Sequence, residues 1–226
     1  ADEAAHRPGV VVGRLPDRRL GGGEAALEGP RLGEGRVGPL VEGIQAGQLP
    51  AGAKAQPAVA AAAEVTRYWK IRVLPGAELT HNPPELLPEL IREARRMGAK
   101  VVVVHGETIV EPVPEGTNAM AIAGGCDILA HPGLISAKEA RQAARRGVTL
   151  EISARRGHCL TNGHVVAAAL AAGANLTVNS DAHAPGDLIG RETAARVARG
   201  AGLTERAVAG MYREAERLAI RLAART

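Results

Sequence analysis

Short apolar runs alternate with amphipathic segments along the chain after residue 60. Apolar runs rich in Val, Ile and Leu predict buried strands, and segments with apolar positions three and four apart predict helices. Predicted strands cover 71–78, 100–105, 127–130, 149–152 and 175–179, and predicted helices cover 58–68, 83–97, 117–123, 136–146, 161–173, 191–199 and 204–224. This alternation indicates an α/β fold with parallel β/α units, five of which fill residues 70–200.

The segment before residue 60 has a different character. It has no aromatic residue, and its frequent Gly and Pro would interrupt any helix or strand, as at Gly21–Gly23 and Gly38-Pro39. Its apolar residues keep no period that could form a buried face. The sequence therefore predicts an irregular segment over residues 1–59, followed by a β/α domain over residues 60–226.

Acids and imidazoles follow the predicted strands where each strand ends. They are Glu78, His105, His131, Glu151, Asp181 and His183. A β/α barrel brings the carboxyl ends of its strands into one ring, so we expect most of these side chains to converge. Two carboxylates and three imidazoles, from Glu78, His105, His131, Asp181 and His183, suit zinc, manganese or iron. Glu78 can bridge two such ions.

Composition narrows the function classes only slightly. The net charge is +4, and the basic residues are scattered rather than clustered. With two Tyr, one Trp and no Phe to stack on bases, the sequence argues against a nucleic-acid interface. Cys126 and Cys159 lack a metal-type spacing. Without a bilayer-length apolar run or a signal segment, the sequence predicts no membrane contact and a cytoplasmic location.

Five short motifs resemble one known family, in that family's order. They are Pro-Gly-Ala-Glu-Leu-Thr-His at 75–81, Val-His-Gly-Glu-Thr at 104–108, Asp-Ile-Leu-Ala-His-Pro-Gly at 127–133, Glu-Ile-Ser-Ala-Arg-Arg-Gly-His at 151–158 and Asn-Ser-Asp-Ala-His at 179–183. From about Ala63 onward the chain resembles the PHP (polymerase and histidinol phosphatase) superfamily of metal-dependent phosphoesterases. It is most similar to the small stand-alone members of the histidinol-phosphatase type.

The resemblance implies a distorted seven-stranded β/α barrel with up to three divalent ions. Glu78 would bridge two ions, His105 and His131 would hold one of them, Asp181 would help hold the other, and His183 would belong to the third. Glu78, His131 and Asp181 would be the catalytic residues, acting through a water whose pKa the metals lower. The substrate would be a small phosphomonoester similar to histidinol phosphate.

Several neighbours of these residues are open to two interpretations. Arg155, Arg156 and His158, just beyond the fourth strand, either clamp phosphate oxygens or, for the arginines, belong to a solvated loop. His81 and Glu107 either line the site or do not. His164 lies within a helical pattern and is not expected to be a ligand, and Cys159 is expected to be structural.

The chain departs from this family before residue 60. Family members begin with strands that end in His-x-His and Asp-His, whereas His6 is the single histidine before His81. The first two β/α units are thus missing or garbled, through a frameshift in the gene or through a divergent N-terminus. We expect the chain to retain one ion with reduced affinity and to show little or no phosphatase activity.

Two other functions stay open. One is a phosphodiesterase or nuclease of the same superfamily, and the other is a non-catalytic metal-binding scaffold. The sequence indicates neither the metal nor the oligomeric state.

Overall fold

The computed structural model describes residues 10–13, 41–43, 62–63 and 72–225. Its strands are β1 (Val10–Gly13), β2 (Val41–Gly43), β3 (Arg72–Leu79), β4 (Val101–His105), β5 (Ile128–Ala130), β6 (Thr149–Ser153) and β7 (Leu176–Asn179). Its helices are α1 (Leu87–Arg96), α2 (Thr117–Gly124), α3 (Ala137–Arg146), α4 (Asn162–Ala172), α5 (Arg191–Gly200) and α6 (Glu205–Ala223). Short 3₁₀ turns occupy Pro84–Leu86, His158–Thr161 and Pro185–Asp187. The predicted alternation after residue 70 is confirmed.

The strands form one open sheet in the order β2-β1-β3-β4-β5-β6-β7. The five strands from β3 to β7 are parallel, and β1 pairs antiparallel with both β2 and β3. The predicted seven-stranded β/α barrel is therefore wrong. Closing a barrel would require strands that continue from β7 round to β3. Instead, β1 lies beside β3 and runs antiparallel to it, and β2 lies beyond β1 at the edge of the sheet. Among the described residues no strand pairs with the free edge of β7.

Both faces of the sheet are buried, as is usual for parallel strands. Val102 and Val104 of β4 point into the larger apolar core, formed with α1 to α5 and the first half of α6. Val101 and Val103 point to the other face, where the last turns of α6 pack on them through Ala215, Leu218 and Leu222. Helix α6 thus passes from one face of the sheet to the other.

The helix ends follow local rules that the sequence carries. Ser136 caps α3 by accepting the Glu139 N–H, and the Glu139 side chain accepts the Ser136 N–H in return, which satisfies both donors. Gly147, at φ +68°, ends the same helix. Thr204 caps α6 through the Ala207 N–H. After Gly147 the chain enters β6 at Thr149.

The irregular segment predicted over residues 1–59 lies mostly outside the described residues. Within it the structure describes the backbone of β1 and β2 alone. Of the helices in the described part of the chain, none has the length and apolar character needed to cross a membrane.

Candidate metal centre

The candidate centre lies where four parallel strands end. Glu78 is the second-last residue of β3, and His105 is the last residue of β4. His131 follows β5 directly, and Asp181 lies two residues beyond β7. The register pairs Glu78 with Val103 and His105 with Ala130, so these side chains belong to the sheet face that α6 covers. In open α/β sheets, ligands bind at this carboxyl edge.

Three buried imidazoles form the middle of the site. The His131 ring centroid is 4.4 Å from that of His105 and 4.1 Å from that of His158, while the His105 and His158 centroids are 5.8 Å apart. The exposed fraction is 1% for His105, 2% for His131 and 5% for His158. Packing three titratable rings together in the absence of water is costly unless something else in the site stabilises them.

The distances between imidazole nitrogens and carboxylate oxygens suit a shared ion better than a hydrogen bond. His105 Nδ1 is 3.7 Å from Glu78 Oε1, and His131 Nε2 is 3.7 Å from Asp181 Oδ2. A hydrogen bond would require about 3 Å. A tetrahedral zinc with bonds of about 2.1 Å holds its donors roughly 3.4 Å apart. Two three-residue groups have all their donor atoms within 4.8 Å: Glu78 with His105 and His131, and His131 with His158 and Asp181.

Unsatisfied nitrogens support the same interpretation. The Nδ1 atoms of His105, His131 and His158 are buried and have no hydrogen-bond partner among the described residues. Buried polar atoms are almost always paired, so these nitrogens require an explanation. A metal ion would account for those of His105 and His158, whereas His131 faces Asp181 through its other nitrogen, Nε2. Imidazole nitrogens together with carboxylates are the donors that zinc, manganese and iron accept. The residues present therefore fit divalent ions.

Burial and neighbouring charges shift the pKa values of several members of the site. Burial, with the nearby Glu78 charge adding to it, raises the pKa of Asp181 to about 7. Burial, and then the charges of His105 and His158, lowers the pKa of His131 well below its ordinary value. Burial also lowers the pKa of His158, with the charge of His105 acting in the same direction. Neutral imidazoles are the form that binds metals.

His105 differs from the other two imidazoles in the direction of its shift. Burial lowers the pKa of His105, but the nearby Glu78 carboxylate outweighs burial, so the net pKa is raised. Glu78 is therefore the main cause of the raised pKa of His105.

Unusual backbone conformations place the ligand candidates. Among the described residues other than glycine, His81, His131 and Asp181 alone have positive φ, at 55°, 27° and 47°. All three follow strands at the candidate centre, where strained backbone often accompanies function. The loops after β4 and β5 also lie against each other: a Cβ on Gly133 would come within 1.8 Å of the Glu107 carbonyl oxygen. That close contact fixes His131 beside His105.

A cavity of about 300 Å³ opens beside the centre. It is lined by Ala154, Arg155, Arg156, Ser180, His183 and Asp187. Arg155 links the cavity to the centre, because its Nε is 3.6 Å from Asp181 Oδ2 and its Nη1 donates to the Asp181 carbonyl at 3.0 Å. Arg155 Nη1 also contacts His183 Nδ1. Two guanidinium groups and the Asp187 carboxylate therefore line this cavity, and Arg156 is the more exposed of the two arginines.

The structure brings most of the predicted site residues together. Glu78, His105, His131 and Asp181 lie in the cluster, whereas His183 lies at its rim, with a side chain 36% exposed and its Nδ1 3.6 Å from Asp181 Oδ1. Arg155 and Arg156 line the cavity as a phosphate clamp would require. His158, predicted to accompany them, is buried beside His131 instead.

The remaining candidates have structural partners. Glu107 accepts hydrogen bonds from the Gly116 and Asn118 N–H groups at 3.1 and 2.8 Å, which caps the start of α2. His164 bonds to the Ile135 carbonyl at 2.8 Å, away from the site. Glu151 is fully buried and accepts a hydrogen bond from the Asn179 side chain at 3.0 Å. His81 is half exposed, and its ring centroid lies 5.8 Å from that of His105.

Sequence reasoning missed Glu111. Its carboxylate lies 3.5 Å from His81 Nε2 and 3.6 Å from His158 Nε2, and its backbone carbonyl lies 3.3 Å from His105 Nε2. It belongs to the Pro-containing loop after β4 rather than to a strand end, so the strand-end pattern could not indicate it. The one available signal was an acid six residues after a strand-end histidine.

No family model matches the chain. A protein of Methanocaldococcus jannaschii that is described only as uncharacterized is 48% identical over 145 residues, which make up 63% of this chain and 66% of that protein. The chain thus spans slightly less than two thirds of the length of this relative.

Among solved structures, a chain of archaeal ribonuclease P, determined by cryo-EM with mature tRNA, is similar to this fold. The TM-score is 0.62, the identity is 13%, and the match covers 77% of this chain and 80% of that chain. At this identity the likeness concerns the fold alone, and it gives no support to the predicted phosphatase barrel. Fold and site together define an open α/β protein with a buried candidate metal centre beside an arginine-lined cavity.

Proposed function

We propose that the chain is a metal-dependent phosphoesterase that hydrolyses a small phosphomonoester. The observation that carries this proposal is that a cluster suited to cations adjoins a cavity suited to anions. The buried cluster of Glu78, His105, His131 and Asp181 fits divalent cations, and the adjoining cavity with Arg155 and Arg156 fits an anion. A phosphate ester is the common substrate that such a pair of sites binds together.

Separate groups of residues would bind the ions and the substrate. Glu78, His105, His131 and Asp181 would hold the ions, which when bound polarise phosphate oxygens and lower the pKa of a water. Arg155 and Arg156 would bind the remaining phosphate oxygens and neutralise charge that develops on them. The cavity volume of about 300 Å³ lies at the small end of ligand pockets, which favours a compact substrate.

The proposal is tested by assaying the chain after its metals have been stripped and replaced. Protein reloaded with manganese, zinc or iron should hydrolyse p-nitrophenyl phosphate and histidinol phosphate slowly, and protein in chelator should not. Inorganic phosphate should inhibit. If the reloaded protein neither hydrolyses a phosphomonoester nor binds inorganic phosphate in a metal-dependent way, the proposal is wrong.

Phosphodiester hydrolysis is the second candidate, and one comparison favours it. The solved structure of similar fold belongs to ribonuclease P with tRNA, an assembly that contains RNA. A two-ion centre can serve either ester class. Bis-p-nitrophenyl phosphate, single-stranded DNA and single-stranded RNA should therefore be assayed in parallel. Faster turnover of any of these than of the monoesters would replace the favoured proposal with this one.

A metal-binding scaffold without catalysis is the third candidate. It would show bound ions, with neither hydrolysis nor phosphate binding. For each of these functions we propose a cytoplasmic location, and for the favoured phosphomonoesterase a small phosphorylated substrate rather than a lipid surface.

A further inference from the structure

We propose that His158 is a metal ligand and that, with His131 and Asp181, it forms a second ion position beside the position formed by Glu78 and His105. This rests on the metal centre of the proposed function. The sequence suggested a different role for His158, a contact to substrate phosphate. It also suggested that, with the family's N-terminal ligands absent, a single ion would remain.

The location of His158 argues against a phosphate contact. Its side chain is 5% exposed, whereas the arginines it was expected to accompany line the open cavity. His158 is not one of the described residues that line this cavity. Its nearest ring is His131, at 4.1 Å between centroids. The 3₁₀ turn His158–Thr161 thus directs the imidazole toward the strand ends and away from the substrate side.

One nitrogen of the His158 ring is available as a donor. Nδ1 is buried without a hydrogen-bond partner among the described residues, while Nε2 lies 3.6 Å from Glu111 Oε2, beyond hydrogen-bond distance. Metal-binding histidines commonly have a carboxylate on the side of the nitrogen that does not bind the ion. Glu111 lies on that side of His158, which leaves Nδ1 as the donor to an ion.

The donor distances divide the cluster into two positions. His131 can give one lone pair to one ion, although it belongs to both three-residue groups. Its Nε2 faces Asp181 Oδ2 at 3.7 Å, while His105 Nδ1 faces Glu78 Oε1 at the same distance. His131 is therefore assigned to the ion of Asp181, and His158 supplies the third donor there. Three protein ligands with one open position is the usual form of a reactive zinc site.

The consequence is that the described part of the chain holds donors for two ions. Every ligand falls between residues 78 and 181. His158 supplies a partner for Asp181 of the kind that the sequence interpretation assigned to missing N-terminal residues. The wild-type chain should bind two ions rather than one.

The test compares His158→Gln with a matched control, His164→Gln. His164 lies six residues further on, in α4, and bonds to a backbone carbonyl away from the centre. Each protein is stripped, reloaded with zinc, and measured for metal content and for zinc affinity by chelator competition. Wild type and His164→Gln should each bind two ions. His158→Gln should lose one ion, or bind it about 100-fold more weakly.

Two outcomes would overturn the proposal. One is a His158→Gln protein that binds two ions with wild-type affinity. The other is a wild-type chain that binds a single ion that His158→Gln leaves unaffected. An unchanged metal content with a weaker inhibition by inorganic phosphate would return His158 to the phosphate-binding role that the sequence suggested.

A second measurement covers the case in which His158→Gln does not fold. The variant His183→Gln changes a partly exposed side chain. In this variant the ¹⁵N resonances of the remaining imidazoles can be followed as zinc is added. Three imidazoles, those of His105, His131 and His158, should shift to the metal-bound range. Two shifted imidazoles would overturn the proposal.

Failure of the proposed function would look different. A chain that binds two zinc ions through His158 but hydrolyses no phosphate ester would leave this inference intact and remove the phosphoesterase proposal. A chain that hydrolyses phosphomonoesters with one ion, unaffected by His158→Gln, would do the reverse.

Discussion

Nε2 of His131 lies 3.7 Å from Oδ2 of Asp181, although the two residues follow different strands and both have positive φ. The distance is too long for a hydrogen bond, and both side chains are nearly excluded from water. Two donors held apart at this spacing, by backbone that is itself strained, have the separation that ligands of one cation would have. Without a cation, the same arrangement destabilises the fold.

The first prediction is that Asp181 makes the metal-free protein less stable as the pH rises from about 4 toward 7. The ordinary pKa of 3.8 applies in the unfolded chain, and the folded pKa is raised to about 7 by burial and then by Glu78. Between these values the folded protein binds more protons than the unfolded chain, so its stability falls as the pH rises. The lowered pKa values of His131 and His158 act in the opposite direction but are common to wild type and Asp181→Asn. Urea unfolding in chelator should therefore show the fall as a stability difference, wild type minus Asp181→Asn, that decreases from pH 4 to 7.

Asp187→Asn is the control for this experiment. The His183 and Ala184 N–H groups lower the pKa of Asp187, so this acid stabilises the fold above its ordinary pKa, and that contribution is lost as the pH falls. Its replacement should leave the Asp181 effect in place. Unfolding curves of wild type and Asp181→Asn that stay parallel from pH 4 to 7 would contradict the prediction.

The second prediction concerns His131, which both three-residue groups share. His131→Ala should weaken zinc binding by at least about 100-fold and abolish any hydrolysis of phosphomonoesters, because each of the two groups found among the described residues loses a donor. His81→Ala is the comparison, since that ring is half exposed and belongs to neither group. Calorimetric zinc titration of both variants checks this. An equal loss of zinc affinity in His131→Ala and His81→Ala would show that His131 is not a shared ligand of the centre.

The sequence predicted the element pattern because the relevant signals are local. The capping box of Ser136 and Glu139 and the left-handed Gly147 are visible in the sequence, and each fixes a boundary without reference to distant residues. The convergence of Glu78, His105, His131 and Asp181 followed from one general rule, that parallel strands end at the same edge. That rule holds in an open sheet as well as in a barrel.

Barrel closure could not be read in the same way. It depends on which strands lie beside β3 and β7, and the antiparallel pairing of β1 with β3 leaves the sheet open. The roles of Glu111 and His158 were hidden for a related reason. Both lie in loops, where no periodic pattern indicates the direction of a side chain, so a phosphate contact and a ring beside His131 were equally compatible with the sequence.

The third prediction concerns the cavity. Arg156→Ala should raise the KM for a phosphomonoester and the inhibition constant of inorganic phosphate by roughly 10-fold, because an exposed arginine at the rim contributes about 1–2 kcal/mol to anion binding. The effect on kcat should be smaller. Arg141→Ala, which changes an exposed arginine on α3, is the matched control. Steady-state kinetics of both variants would decide the matter, and an unchanged KM in Arg156→Ala would exclude the clamp.

The fourth prediction concerns the opposite end of the sheet. Asp127, 4% exposed, accepts hydrogen bonds from the Val102 N–H at 2.9 Å and from Arg225 Nη1 at 2.8 Å, and it lies 3.3 Å from Arg95 Nη2. Asp127→Ala should lower the free energy of unfolding by about 3 kcal/mol, because it leaves buried donors unpaired. Arg225→Ala, which removes a partly exposed partner, should cost about 1 kcal/mol.

Urea denaturation measures both effects, and zinc content serves as the control. Neither variant should lose its ions, because Asp127 precedes β5 while the centre follows it. Loss of metal from folded Arg225→Ala protein would show that the two ends of the sheet are coupled.

The fifth prediction compares two glycines with nearly equal backbone angles. Gly133 has φ +62° and Gly147 has φ +68°, so an alanine at either position costs about 1 kcal/mol of left-handed strain. At Gly147 nothing lies within 4 Å of the added Cβ, whereas at Gly133 the Cβ would meet the Glu107 carbonyl oxygen at 1.8 Å. Gly133→Ala must therefore separate the loops after β4 and β5, which moves His131 away from His105. It should lose zinc affinity and several kcal/mol of stability, while Gly147→Ala should keep wild-type zinc affinity. If the two variants show the same zinc affinity, the contact between the loops does not position the ligands.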